Sequence, residues 1–165
     1  VKKVLKEVDD TPLSNPILGR VRNKARWHGR GSDWATPIDL FLELDEEFGF
    51  TLDVCASEWN RKCDRYFSVE DNALTQDWSQ EICFMNPPYG KVLNDWMKKA
   101  YESFINGATV VCLVPAATDT AWWHNYAMKG DIRFLRGRLR FVTQEGHWQN
   151  TFLSSVIVVF KEEVE

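Results

Sequence analysis

The chain holds no C-x-x-C pair and only three histidines, each isolated, so a zinc site is not expected and no metal is assigned. Its four cysteines, Cys55, Cys63, Cys83 and Cys112, sit mostly in apolar or strand-like surroundings, where a thiol behaves as a small hydrophobe. The apolar run Val110 to Ala117 is far too short to span a bilayer, and no signal-peptide pattern opens the sequence. A reducing, cytoplasmic setting is the simplest expectation. The net charge of −4 excludes a generally basic nucleic-acid binder, but the charge is unevenly placed. Arg20, Arg22, Lys24, Arg26 and Arg30 form one basic cluster, and Lys129, Arg133, Arg136, Arg138 and Arg140 form another. Together they hold half of the 20 cations, and such clustering counts for more than the sum when the partner is a polyanion.

What is present is length for one domain with a sizeable core, 13% aromatic content and eight tryptophans. Residues 1–31 read as a basic, flexible arm: Pro12 to Gly19 is rich in turn-formers, and Arg20 to Gly31 has no hydrophobic period. That basic run is either a disordered tail or a segment that folds onto nucleic acid. From Trp34 onward the pattern is regular. Thr36 is placed to cap a helix with Pro37 at its first position; Ile38 to Phe48 keeps a helical period, and Gly49 stops it. Phe50 to Ala56, Arg65 to Ser68, Ile82 to Met85, Thr109 to Pro115, Ile132 to Phe134, Leu139 to Val142 and Ser155 to Phe160 read as strands. Helices are expected over Val92 to Phe104 and over Asp119 to Ala127, the latter capped by Thr118 or Asp119. Strands alternating with helices imply an α/β domain with a mostly parallel sheet, which binds ligands beyond the carboxyl ends of its strands.

Asn86-Pro87-Pro88-Tyr89 lies at such an end and is the most informative stretch. Two prolines stiffen the loop and remove two amide donors, leaving carbonyls free to accept. The Asn86 and Pro87 carbonyls suit the two hydrogens of one exocyclic amino group, and Tyr89 offers a flat face to its ring. The plainer alternative is a proline turn with Tyr89 in the core. Asp53, at another strand end, reaches a ligand group or caps a helix. Asp71 and Asp77 suit a ribose diol and an adenine amino group, or belong to an acidic surface loop. Trp78 is placed to pack beside a purine, and Trp34 and Thr36 to approach the ligand. Arg136, Arg138 and Arg140, spaced by two, share one side of an extended segment and either track phosphates or line a solvated edge. Of Trp122 and Trp123, one is expected in the core and the other partly exposed.

In combination these segments resemble the phage-type DNA N6-adenine methyltransferase (Dam-like) family from Asp33 to Lys161. The shared segments are Trp34-Ala35-Thr36-Pro37, Phe50 to Ser57, Tyr66-Phe67, Asn72-Ala73-Leu74 with Asp77-Trp78, Asn86 to Tyr89, Val110 to Pro115, Gly137-Arg138-Leu139 with Phe141, and Ser155 to Phe160. The resemblance implies a Rossmann-like, S-adenosylmethionine-dependent methyltransferase domain over 32–165, acting on DNA in the cytoplasm of a bacterial host if phage-encoded. It places Thr36-Pro37 beside the methionine portion of the cofactor and Asp53, Cys55, Ala56 and Ser57 in the first binding loop. Asp71 and Asp77 fall near its ribose and adenine, in an order left open. Ser57 stands where a glycine is usual, and no large insert is present to read a target sequence. Recognition is therefore expected to rest on the basic arm and the arginine segment, and Phe152 or Trp122 is expected to close a sandwich on the flipped base with Tyr89. An RNA base or a protein glutamine amide as substrate, and a non-catalytic nucleic-acid-binding domain with a degenerate cofactor pocket, are the alternatives.

Overall fold

A computed structural model describes residues 34–162; the expected arm, with Arg20, Arg22, Lys24, Arg26 and Arg30, lies outside the described residues. The element order is β1 (Trp34–Ala35), α1 (Ile38–Phe48), β2 (Leu52–Asp53), β3 (Ile82–Met85), α2 (Leu93–Ile105), β4 (Thr109–Pro115), α3 (Ala121–Asn125), β5 (Asp131–Phe134), β6 (Arg140–Thr143), β7 (Trp148–Asn150) and β8 (Ser155–Phe160). Single 3-10 turns occupy Ala73–Thr75 and Ala127–Lys129.

The main sheet has the order β2-β3-β4-β8-β5. It is mixed rather than mostly parallel: β2/β3 and β3/β4 pair parallel, whereas β4/β8 and β8/β5 pair antiparallel. The reason is local to the last third of the chain. No helix follows β5, so the chain returns through β6 and β7 and enters between β4 and β5 in the opposite sense, which needs no helical crossover. β1, β6 and β7 form a separate three-stranded antiparallel sheet.

Both faces of the main sheet are buried, and the period of two sorts its side chains cleanly. Val110, Cys112 and Val114 of β4, with Val156, Val158 and Phe160 of β8, pack under Leu93, Trp96, Met97 and Ala100 of α2 and Trp122 and Trp123 of α3. Val111, Leu113, Ile157 and Val159 point the other way, onto Leu40, Phe41 and Leu44 of α1. An ion pair helps to hold α1 there: Arg133 on β5 donates to both Glu47 carboxylate oxygens at 2.6 Å.

Several boundaries differ from the expected ones. The helix α1 starts after Pro37, whose extended backbone (φ −52°, ψ 131°) makes it the cap, and no side chain caps that end. Gly49 ends the helix as expected, with φ 66° and its N–H donated to the Asp45 carbonyl. Arg65 to Ser68 forms only an isolated parallel bridge of Tyr66 to Asp53. The helix expected over Asp119 to Ala127 shrinks to α3, capped by extended Thr120, whose hydroxyl turns back to the Ala117 carbonyl at 2.7 Å. Trp122 and Trp123 are both buried, in the cluster they share with α2, β4 and β8.

Candidate active site

Because β2, β3 and β4 run parallel, Asp53, Met85 and Pro115 end along one edge of the sheet, and β8 begins there with Ser155 opposite Pro115. The loops at 54–57, 86–89 and 151–154 therefore open on the same side. Asn86 leaves β3 half-buried, followed by buried Pro87 and Pro88. Its side-chain Nδ2 donates to Thr36 Oγ1 at 3.0 Å, across fifty residues of chain. Thr36 is 4% exposed, so this hydrogen bond is shielded from solvent. With Nδ2 committed, Asn86 Oδ1 is the end left for an incoming donor. No backbone N–H of the described residues is directed at the Pro87 carbonyl.

Tyr89 is half-buried, and its ring meets Phe141 edge-on at 6.5 Å. Its hydroxyl end is sunk beside Ser155, and neither hydroxyl completes a hydrogen bond of good geometry. Burial pushes the phenol well up from its ordinary value, with Ser155 opposing weakly, so the hydroxyl stays neutral. Phe141 in turn stacks on Trp34 at 5.6 Å. Trp34 thus reaches the site through Phe141, as support for the aromatic behind Tyr89. Ser155 carried a sequence signal that goes unread without register: it opens a strand whose partner is Pro115.

The Asp53 loop folds on itself. Asp53 is 2% exposed, with Oδ1 accepting from the Cys55 N–H at 3.3 Å and Oδ2 from the Lys62 N–H at 3.0 Å. Burial raises its pKa from 3.8 to about 6 against the pull of those two donors and the Lys62 charge. Its carboxylate orders the loop from the inside and does not face an open site. Ser57 is similarly occupied: its N–H and Oγ both bind Asn60 Oδ1, at 2.7 and 3.0 Å. Burial, with the Asp53 charge, also pushes the Cys55 thiol up, which disfavours its thiolate. What this loop leaves for a ligand is backbone and small side chains, Cys55 half-buried and Ala56 buried, beside half-buried Tyr66 and Phe67.

Asp71 and Asp77 are exposed, and each serves a local turn. Asp71 Oδ2 accepts from the Ser68 N–H and Oγ, both at 2.8 Å, while Asp77 accepts from the Ser79 N–H and Oγ, both at 2.9 Å. These bonds hold both carboxyls below the usual range. Trp78, expected beside a purine, is fully buried; its Nε1 donates to the Ala73 carbonyl at 3.0 Å and its ring packs on Trp96. It is a core residue, inaccessible to a ligand.

The arginine segment is not one extended strand. Residues 136 and 137 form a bend, and Gly137 takes φ 79°, so Arg136 falls outside the β6 alternation. Arg138 Nη1 donates to the Thr151 carbonyl at 3.0 Å and to the Phe152 carbonyl. Arg136, Arg138 and Arg140 all remain exposed. Of the two aromatics expected to close the sandwich, Trp122 is buried at 6% exposure, whereas Phe152 is 87% exposed. Among the described residues no three His, Cys, Asp or Glu side chains gather as a metal site, and no helix is long and apolar enough to cross a membrane.

The DNA N-6-adenine-methyltransferase of Haemophilus phage HP1 (strain HP1c1) is 37% identical over 116 residues, covering 68% of this chain and 67% of its own. The enzyme of the same name from Escherichia phage T1 is 34% identical over 121 residues, again 68% of this chain but 48% of its own, so the match spans about half of that relative. A putative methyltransferase, YfdM, of Escherichia coli (strain K12) is 41% identical over 66 residues, 36% of this chain and 72% of its own. The family model for DNA N-6-adenine-methyltransferase (Dam) matches residues 27–165, which takes in the Thr36–Asn86 pair and every strand end just described, and the chain belongs to that family.

Proposed function

We propose that this chain methylates the N6 amino group of adenine in DNA, with Asn86, Pro87, Pro88 and Tyr89 as its catalytic loop on a Rossmann-like methyltransferase domain. The observation that carries the reading is the Asn86 amide at the end of β3, tethered at Nδ2 by Thr36 with its Oδ1 left open. S-adenosylmethionine, when bound, supplies the methyl group as an electrophile. The edge formed by Ala56, Cys55 and the half-buried rings of Tyr66 and Phe67 fits such a group, since small side chains admit a ligand to the backbone and aromatic rings shelter a nucleoside. Asp71 lies close enough to Tyr66 for its charge to act on the phenol, and the carboxylates of Asp71 and Asp77 keep lone pairs beyond those used by Ser68 and Ser79.

The chain's own part in the chemistry is electrostatic. The amino nitrogen of adenine is a poor nucleophile, because its lone pair is delocalised into the ring. Asn86 Oδ1 and the Pro87 carbonyl accept its two hydrogens and favour a tetrahedral nitrogen. They also stabilise the positive charge that grows there, and the proline-stiffened loop keeps them aimed without reorganisation. Tyr89, its hydroxyl end buried and its ring propped by Phe141, presents that ring to the base, which must leave the duplex at a cost of a few kcal/mol. Stacking returns about 1–3 kcal/mol of that. The exposed Arg136 and Arg140, and the basic stretch Arg20 to Arg30, supply the charge that a DNA backbone requires.

Transfer of a labelled methyl group to unmethylated duplex DNA, with the modified positions mapped by sequencing, tests the reading. Label appearing on adenine is expected. Label on RNA or protein with none on DNA overturns the substrate, and an active Asn86→Ala enzyme overturns the mechanism.

A further inference from the structure

The hydroxyl of Thr36 is free of the task its position suggests. A threonine ahead of Pro37 is the natural cap for α1, yet that end of the helix receives no side-chain hydrogen bond. The hydroxyl turns instead into the protein, where it meets Asn86 Nδ2 at 3.0 Å. Its backbone is fixed on both sides. Trp34 and Ala35 pair with Thr143 and Val142, and Pro37 locks the entry into α1. The pair thus joins the small sheet to the carboxyl end of β3, and it is shielded from solvent at Thr36.

An asparagine amide has two ends of opposite sense, and its terminal torsion is broad and nearly two-fold. Only the Oδ1 end can accept from an amino group; the Nδ2 end would set donor against donor. The prolines that follow Asn86 stiffen the main chain, but they do not choose between the two amide orientations. We infer that Thr36 is a positioning residue: once the substrate amine takes Oδ1, the Thr36 hydroxyl is the acceptor that holds Nδ2 and keeps the oxygen turned to that amine. Thr36 acts through Asn86 and need not touch cofactor or DNA. The inference rests on Asn86 as the amine-binding residue.

Thr36→Val keeps the shape and removes the hydroxyl, and Thr36→Ser keeps the hydroxyl. Methyl transfer to unmethylated bulk DNA would be followed at saturating S-adenosylmethionine, together with the dissociation constant for S-adenosylmethionine by calorimetry. Thr36→Val is expected to lower kcat about tenfold, the scale of one lost hydrogen bond, with cofactor affinity within about twofold of wild type. Thr36→Ser restores kcat. In an Asn86→Ala background the valine substitution costs nothing further. If cofactor affinity falls in step while kcat at saturation is kept, Thr36 is a cofactor contact and the inference is overturned; additive losses in the double variant overturn it too. Should the valine variant not fold, Thr36→Ala against Thr36→Ser separates the same outcomes. Failure of the underlying reading looks different, because Asn86→Ala would then itself keep wild-type activity.

Discussion

The Arg138 guanidinium donates from one nitrogen to two successive main-chain carbonyls, those of Thr151 and Phe152, and so braces the loop that leads into β8. Thr151 adds a second brace through its hydroxyl, which donates to the Leu153 carbonyl at 2.6 Å, and Ser154 adds a third, its carbonyl accepting from the Ala116 N–H at 2.8 Å. Nε and Nη2 keep donors of their own, so a salt titration decides whether Arg138 also meets phosphate; bracing alone sets the expectation. Arg138→Gln is therefore expected to leave the slope of log binding constant against log salt unchanged on DNA titration, whereas loss of one phosphate contact lowers it by about 0.9. Hydrogen exchange at residues 151–153 should quicken in the same variant. A salt slope reduced by about one would return Arg138 to the phosphate-binding set.

The braced loop displays Phe152, 87% exposed, on the edge of the sheet that carries Tyr89. If Phe152 forms the second face of the base-binding sandwich, its loss is read in DNA binding and not in stability. Phe152→Ala should leave the melting temperature within about a degree, since so exposed a ring makes little packing contribution. It should weaken binding to duplex DNA by about 1–3 kcal/mol, the range for one lost base–aromatic stack. Equal affinity for DNA in the two proteins would show that the ring stays in solvent.

The parts legible in the sequence were those set by local pattern. β3, β4 and β8 are unbroken apolar runs with turn-formers at their ends, and their limits match the expected ones to the residue. Asn86 to Tyr89 was legible for the same reason, as a rigid loop directly after such a run. The hydroxyl of Thr36 was not, because its partner lies fifty residues away and the local rule for a threonine before proline points to a helix cap. β1 and β7, at two and three residues, are too short to show a period. Trp78 was misplaced because sequence does not reveal that α2 brings Trp96 over it. The local use of Asp71 and Asp77 had a signal in the spacing of Ser68 and Ser79, since short polar side chains bond backbone groups two or three residues away.

Glu47 and Arg133 tie opposite parts of the chain, and the pair is uneven: the arginine side chain is 6% exposed and the glutamate 30%. Asp131 gives Arg133 a weaker second partner at 3.4 Å. Removing Glu47 leaves a buried guanidinium with Asp131 and the face of the Phe48 ring, 5.2 Å away, as its remaining described partners. Glu47→Ala should cost about 2–3 kcal/mol in urea unfolding, less than the full penalty for a wholly buried pair because Glu47 is partly solvated. Methyl transfer per folded molecule should stay within about twofold of wild type at a temperature where the variant is fully folded, because the pair sits at the end of α1 remote from Thr36. A large loss of activity without loss of stability would mean that α1 transmits strain to Asn86.

Asp53 makes the stability depend on pH in a definite direction. In the folded chain its carboxyl has a pKa of about 6, in the unfolded chain the ordinary 3.8, and burial is the main cause of the difference. Below the lower value both states hold the proton, and the buried acid is neutral. As the pH rises from 3.8 toward 6, the unfolded chain ionises first, so the stability contributed by the neutral buried group is progressively lost. A tenfold difference in proton affinity between the two states corresponds to about 1.4 kcal/mol. Asp53→Asn keeps a neutral acceptor at every pH, but satisfies only one of the Cys55 and Lys62 N–H donors. The stability of the variant minus that of wild type should therefore climb between about pH 4 and 6 and level off above it, whatever the constant offset from the lost hydrogen bond. Urea unfolding of both proteins across that range is the measurement. A difference that stays flat would show that the Asp53 carboxylate is as well solvated in the fold as in the open chain, and that the loop at 54–57 is not organised around it.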